Sequence, residues 1–382
     1  MQVLHPAIRS REINNGNGLS MHLLEAGFED PDRPLVLLLH GFPELAYSWR
    51  NVMLPLADAG YRVVALDQRG YGRTTGWNDD YSSDLASFAI PNLVRDILGL
   101  VWALGRQNVL AVVGHDFGSP VAAYCALLRP DVFQSVVMMS APFAGPPPAT
   151  EFPVGTVAVC DEQTAQSTPT IHASLAALER PRKHYQWYYS TPEANDDICH
   201  CSQGVHDFLR AYFHYKSADW AGNQPFRLSA WSASELAKLP TYYVMDLDLG
   251  MAETVAPYMP AADAIADCMW LSETELEVYS SEYGRTGFQG GLQWYRCATS
   301  ETENNALRLW AGRTIDVPSL FVAGKSDWGV YQKPGAFEAM QASACTRMEE
   351  CHLVTGAGHW VQQEQPEAVG RILNEFLGRQ HG

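Results

Sequence analysis

The sequence is short of positive charge. Lysine and arginine together number 26 against 43 aspartates and glutamates, a net charge of −17. A surface that acidic repels phosphate backbones and anionic lipid, which argues against nucleic acid as a partner and disfavours anionic substrates. No run approaches the ~18 apolar residues that a membrane-spanning helix needs. "MQVLHPAIRSREINNG" has no apolar h-region, so no secretory signal is expected and the protein is read as cytoplasmic. The eight cysteines, at 125, 160, 199, 201, 268, 297, 345 and 351, are scattered and read as reduced thiols. "CHCSQGVHDF" gathers Cys199, His200, Cys201 and His206, but a Cys-x-Cys without a matching second pair is read as incidental, and no metal is expected. Low complexity is confined to Pro146-Pro147-Pro148, and there is no internal repeat.

Apolar residues are plentiful, at 47% of 382. That length exceeds the roughly 250–300 residues at which one core stops growing, so two domains or one with a large insertion are expected. The first part alternates strand and helix. "INNGNGLSMHLLEAG" reads as two strands about a turn at Asn15-Gly16-Asn17-Gly18. Leu35 to Leu39 is a continuous apolar run, as a strand buried on both faces should be. Ser48 is placed to cap a helix from Trp49 that stops near Gly60. "RVVALD", "VLAVVG" and "SVVMMSAP" read as further strands, with helices opened by Pro91 and carried by "SPVAAYCALL" between them. This βαβα rhythm predicts a mostly parallel sheet flanked by helices, an α/β fold. It breaks at "FAGPPPAT" and returns only at "VPSLFVAG" (317–324) and "CHLVTGAGHW" (351–360), before a final helix around 366–377. Residues 1–145 and 313–382 are therefore assigned to a core domain and 146–312 to a mainly helical insertion. The insertion holds 22 of the chain's 42 aromatic residues, which suits a lid over an apolar pocket and suits an ordinary second core as well.

Chemistry concentrates at three points. In "VVGHDFGSP" an apolar strand runs into a tight Gly-x-Asp-x-Gly turn and then a helix. Gly114, Gly118 and Ser119 are the small neighbours such a strained turn requires, and the helix N-terminus favours an anion there, so Asp116 is expected to stay ionised and exposed to attack a substrate. "LLLHGFPE", with His40, Gly41 and Pro43, follows a strand where an oxyanion-hole loop belongs; the backbone N–H groups of Phe42 and Phe117 are its candidate donors. "GAGHWVQQEQP" sets His359 after the last strand, and "FVAGKSDWG" sets Asp327 after the one before. The order Asp116, Asp327, His359 is the nucleophile, acid, histidine order of α/β-hydrolases. "DQRGYGRT" lacks the third glycine of a dinucleotide-binding turn, and Asp67 and Arg69 are read as bracing the fold.

"HGFPELAYSWRNVMLPLADAGYRVVALDQRGYGRT", "GHDFGSPVA" and "GAGHW" together resemble the soluble epoxide hydrolases of the α/β-hydrolase superfamily, over residues 34–143 and 318–377 and more patchily in the insertion. Within the insertion, "HYQWYY" and "GFQGGLQWYR" look like the segments holding the family's two lid tyrosines, which implies those roles for Tyr185 and Tyr295. The resemblance implies an α/β-hydrolase core with a lid, a cis bond between Phe42 and Pro43, no cofactor, and a mostly apolar epoxide as substrate with water as co-substrate. It also implies that Asp116 forms an ester with the substrate and that His359, oriented by Asp327, activates water to hydrolyse it. The insertion is longer than the usual lid, with extra sequence around 146–180 and 240–270. A haloalkane or haloacid dehalogenase would share the aspartate, histidine and oxyanion loop, but commonly sets a tryptophan after the nucleophile where this chain has Phe117. A ligand-binding protein on the same scaffold, and an enzyme closing a ring with an internal hydroxyl, are the other readings. The working unit is taken as a monomer or homodimer.

Overall fold

The continuous apolar runs form the middle of a sheet. The computed structural model describes residues 4–149 and 170–380. Six strands come first: β1 (Arg9–Asn14), β2 (Ser20–Ala26), β3 (Leu35–Leu39), β4 (Arg62–Leu66), β5 (Ala111–His115) and β6 (Val136–Met139). Two short strands, β7 (Arg182–His184) and β8 (Val244–Asp246), pair only with each other. β9 (Ser319–Gly324) and β10 (Met348–Val354) then rejoin the main sheet, whose spatial order is β1-β2-β4-β3-β5-β6-β9-β10. Among the described strands of this main sheet, the β1–β2 and β2–β4 pairings are antiparallel and the others parallel. β6 pairs directly with β9, so the chain between them leaves the sheet and returns beside its own point of exit.

Every residue of β3, β4, β5 and β6 is buried, because helices cover both faces. Alternate side chains sort into two cores. Val36, Leu38, Val63 and Val113 pack with Val52 and Leu56 of helix Arg50–Asp58 and with Leu373 and Phe376 of helix Pro366–Gln380. Leu37, Leu39, Val64 and Val112 pack with Leu93, Val94 and Ile97 of helix Ile90–Ala103 and with Val121 of helix Gly118–Leu128. The second core continues without a break into the aromatic residues between β6 and β9. Most of that interval, as far as it is described, is helical; the longer helices are Gly204–Lys216, Glu273–Thr286 and Gln289–Thr299. The extra sequence expected near 146–180 lies largely outside the described residues. Among the described residues no helix is long and apolar enough to cross a membrane.

One local expectation fails. Ser48 does not cap a helix from Trp49; it lies inside a 3-10 turn, Ala46–Trp49, that leads into the helix Arg50–Asp58. Its hydroxyl is buried and bonds the Tyr279 hydroxyl at 2.8 Å, so a contact with the inserted helices outcompetes the local cap. Asp67 accepts the backbone N–H groups of Ala46 and Arg73, and Arg69 grips Asp96 through two bonds of 2.7 and 2.8 Å, so both brace the loops that carry the site.

Candidate active site

Asp116 stands at the bend between β5 and the helix Gly118–Leu128, with φ at +51°. A non-glycine residue there carries strain of order 1–3 kcal/mol, which the surroundings must impose. They do so by close approach. A Cβ on Gly114 would meet the Gly118 carbonyl and, at 2.8 Å, the Ser119 nitrogen; one on Gly118 would meet the carbonyls of Leu39 and His40. Glycine at both positions lets strand, turn and helix pack backbone to backbone. The loop after β3 then reaches the carboxylate: the Phe42 N–H donates to Asp116 Oδ1 at 3.0 Å, and the Phe42–Pro43 bond that follows is cis. Phe117 follows at the helix cap, its N–H beside the same loop.

His359 arrives from the loop after β10. Its Nε2 faces Asp116 Oδ2 at 3.3 Å, and its Nδ1 lies 3.1 Å from Asp327 Oδ1, which also accepts the Gly329 N–H at 2.7 Å. His359 and Asp327 are 2% and 1% exposed, so the pair works away from bulk water. Burial alone would raise both carboxyl groups. At Asp116 the opposing pull of His359, Lys216 and His115 wins and holds it well below the usual carboxylate range; at Asp327, His359 and the Gly329 N–H do the same. Asp116 is therefore an anion at neutral pH.

Two tyrosines come in from the inserted segment. The β7–β8 ladder and a bond from the Tyr185 N–H to the Tyr243 carbonyl fix the start of helix Tyr185–Tyr189. The Tyr185 hydroxyl donates to Gln332 at 3.2 Å and accepts from Gln186 at 3.3 Å. Tyr295 rides on helix Gln289–Thr299, whose Gly290 and Gly291 let it press against Gly70, Phe42 and Tyr71. Its ring sits 4.6 Å from that of Phe117 and 5.4 Å from that of Phe42, and the two tyrosine rings are 5.7 Å apart. Burial pushes both phenols well above their ordinary value; after burial comes the Asp116 charge for Tyr185, and the Tyr185 phenol and then Asp116 for Tyr295. Both stay protonated.

Two cavities adjoin this point. One of about 240 Å³ is lined by Asp116, Phe117, Tyr185, Gln186, Trp231 and Gln332. The other, about 280 Å³, is lined by Leu93, Tyr124, Phe143, Trp294 and Cys297, and shares Phe117, Pro120, Ala141, Pro142 and Lys333 with the first. Asp116 and Tyr185 thus share the first cavity with His184, Gln186, Gln332 and Lys333, while the second is the more apolar.

All of Asp116, Asp327, His359, Tyr185, Tyr295, Phe42 and Phe117, together with the His40-Gly41-Phe42-Pro43 turn, are brought together here. Cys199, His200, Cys201 and His206 are not: His200 pairs with Asp196, His206 with Asp207 and Glu273, and Cys199 Sγ reaches Asn195. Among the described residues no group of three or more potential ligands is placed to hold a metal.

Four further residues belong to the site's surroundings and were not singled out from sequence. Glu44 and His115 meet at 2.5 Å, fully buried, and His115 Nε2 donates to the His359 carbonyl at 2.8 Å. Burial would lower the His115 imidazole, but Glu44 overrides it and raises it, in keeping with donation from both ring nitrogens. Lys216, 3% exposed, holds its ammonium over the rings of Tyr212, Tyr242, Tyr243 and Trp360 at 5.1 to 5.8 Å. Glu364 lies under the His359 loop, where burial pushes its carboxyl up to about 8. The available signals were the Glu of "HGFPE", the His of "GHD" and the Glu of "QQEQP".

Residues 34–366 match the family model described as the alpha/beta hydrolase fold. Epoxide hydrolase B of Mycobacterium tuberculosis is 32% identical over 377 residues, covering 96% of this chain and 97% of that one. Epoxide hydrolase 3 of Siraitia grosvenorii is 30% identical, covering 96% and 97%. Among solved structures, an epoxide hydrolase from an endophytic Streptomyces superposes with a TM-score of 0.74 at 30% identity, covering 98% and 96%. Potato epoxide hydrolase I gives 0.73 at 28%, covering 97% and 99%.

Proposed function

The chain belongs to the α/β-hydrolase fold family and, within it, to the epoxide hydrolases, and on that premise we propose how its own residues open the substrate and release the product. It adds water to an epoxide to give a vicinal diol. The Asp116 carboxylate attacks one epoxide carbon. As that carbon–oxygen bond breaks, the leaving oxygen takes a proton from Tyr185 or Tyr295, and the substrate is left as an ester of Asp116 with a free neighbouring hydroxyl. His359 then removes a proton from water, and the hydroxide adds to the Asp116 ester carbonyl. The negative oxygen that develops is met by the N–H groups of Phe42 and Phe117. Collapse expels the diol oxygen, which takes up the proton held by the His359 imidazolium, and the proton of the new Asp116 carboxyl group returns to the tyrosinate, so that carboxylate, imidazole and phenol are all restored.

The single observation that carries this reading is the alignment of Asp116, His359 and Asp327 at 3.3 and 3.1 Å around one bend. A carboxylate attacks carbon without a base to deprotonate it, so the nearby histidine is free for the second step. The existing Phe42 N–H bond to Asp116 Oδ1 supports the oxyanion role. The mainly apolar lining of the second cavity, with Leu93, Phe143 and Trp294, supports a mostly apolar epoxide. The indole N–H of Trp294, in the second cavity, donates to the Arg69 carbonyl and is not offered to a leaving halide.

Residues 146–312 act as the lid and 1–145 with 313–382 as the core; the return of β9 beside β6 supports that division. Every named group comes from one chain, so a single protomer is complete, whether the protein works as a monomer or a homodimer. The seven described cysteines are free thiols, which supports residence in the reducing cytoplasm. The deciding experiment is repeated turnover in heavy-oxygen water, followed by mass analysis of the peptide bearing Asp116. Label should enter that carboxylate. Labelled diol with an unlabelled Asp116 would overturn the ester.

A further inference from the structure

Three consecutive backbone N–H groups around His359 are all tied down. Gly358 donates to Glu364 Oε2 at 2.8 Å, His359 to the Lys216 carbonyl at 2.9 Å, and Trp360 to Glu364 Oε1 at 2.9 Å. Glu364 Oε2 also accepts the Ala218 N–H, at 2.8 Å, from the inserted segment. One carboxylate therefore grips the loop on both sides of the histidine and joins it to residues 216–218. The approach is tight: a Cβ on Gly358 would lie 2.5 to 2.6 Å from the backbone of Lys216, Ser217 and Ala218. A capping contact local to helix Val361–Glu364 would need the Trp360 bond alone; the Gly358 and Ala218 bonds have no such local use.

We propose that Glu364 is a positioning residue that holds His359 against the Asp116 ester for the hydrolytic step. Glu364 touches neither Asp116 nor the His359 ring. It acts through the main chain, by fixing where the imidazole is carried. This inference rests on the ester mechanism above and deepens it. Formation of the ester needs the Asp116 carboxylate and a phenolic proton, and neither depends on where His359 Nε2 sits to better than a few tenths of an ångström. Ester hydrolysis does, because Nε2 must take a proton from a water lined up on the carbonyl. Misplacement of a catalytic group by about 1 Å costs ~10²-fold in rate. Loss of the Glu364 grip should thus divide the two half-reactions.

The test compares wild type with Glu364→Gln in single turnover, using styrene oxide as the probe and following ester by intact-protein mass and diol by chromatography. In Glu364→Gln one carboxylate oxygen becomes an NH2 that faces backbone N–H donors. The expected result is ester formation within about twofold of wild type and ester hydrolysis slowed ~10–100-fold. In steady state kcat and KM should fall together, leaving kcat/KM nearly unchanged. Equal slowing of both steps, or a lowered melting temperature with the ratio of the two rates unchanged, would overturn the proposal. Glu364→Asp keeps the carboxyl group but shortens the reach; it supplies the same ratio if the glutamine variant does not fold. Absence of any ester in the wild type would instead defeat the underlying mechanism, so the two failures are distinguishable.

Discussion

Gly41 has no room for a side chain because Asp116 occupies it. A Cβ at position 41 would fall on Asp116 Cβ and Oδ1 and lie 2.7 Å from the Phe117 nitrogen. The oxyanion loop and the nucleophile are packed as one object, and the glycine is the join between them.

Gly41→Ala should accordingly drive the loop off Asp116 and break the Phe42 N–H bond to Oδ1. The expected loss in kcat is ~10²–10³-fold, the usual cost of one oxyanion donor. Steady-state diol formation reads it. Activity within threefold or so of wild type would remove the Phe42 N–H from the mechanism.

His359→Gln should form the ester and fail to release it. Intact mass should rise by one substrate per chain, and turnover should fall ~10²–10⁴-fold, the range for loss of a general base. Asp327→Asn should act in the same direction, because the 3.1 Å contact at Nδ1 fixes the tautomer that leaves Nε2 free to accept a proton. Fast release of diol from either variant would sink the assignment.

Tyr185→Phe and Tyr295→Phe each leave one phenol in place, so each should slow ester formation partially. The double variant should lose ~10²–10⁴-fold in that step while the hydrolysis of preformed ester stays close to wild type. A double variant that forms ester at the wild-type rate would show that the proton comes from elsewhere.

The pH profile of ester formation follows from the signs of the shifts. Asp116 is depressed, so it loses charge only when the pH falls below its lowered value, on the acid side of a free carboxyl at ~3.9. The tyrosines are raised, so they lose their protons only above the ~10 of a free phenol. Between those limits nucleophile and donors both stay in their working states. Single-turnover ester formation should be level from about pH 5 to about pH 10. A bell-shaped profile centred near neutrality would contradict the assignment of one or other group.

The parts of the molecule legible in its sequence are those where one local pattern serves one purpose. A five-residue run such as Leu35–Leu39, too short for a helix of its own and set in a βαβα rhythm, reads as a strand covered on both faces, and it is one. The small residues around Asp116 announce a tight turn because no larger side chain fits. What escaped reading depends on contacts between distant positions. Ser48 was read as a local cap, but its hydroxyl bonds Tyr279, 231 residues away. His115 meets Glu44 across 71 residues, and nothing at either position alone implies the pair. β7 and β8 are three residues each, too short to show an alternation. Lys216 ends a helix and is enclosed by ring faces that come from several distant positions.

Trp360 follows His359 in the chain and lies beside it in space, ring to ring at 4.6 Å and 73°, with its indole N–H already committed to the Phe213 carbonyl. An imidazolium withdraws electron density from an excited indole more strongly than neutral imidazole does, so emission from this one tryptophan should dim each time water gives up a proton to the histidine and recover when the diol leaves. Turnover should therefore be readable in a stopped-flow instrument on unlabelled enzyme as a partial change in emission, Trp360 being one of eleven tryptophans; a trace that stays flat through a turnover would contradict the coupling.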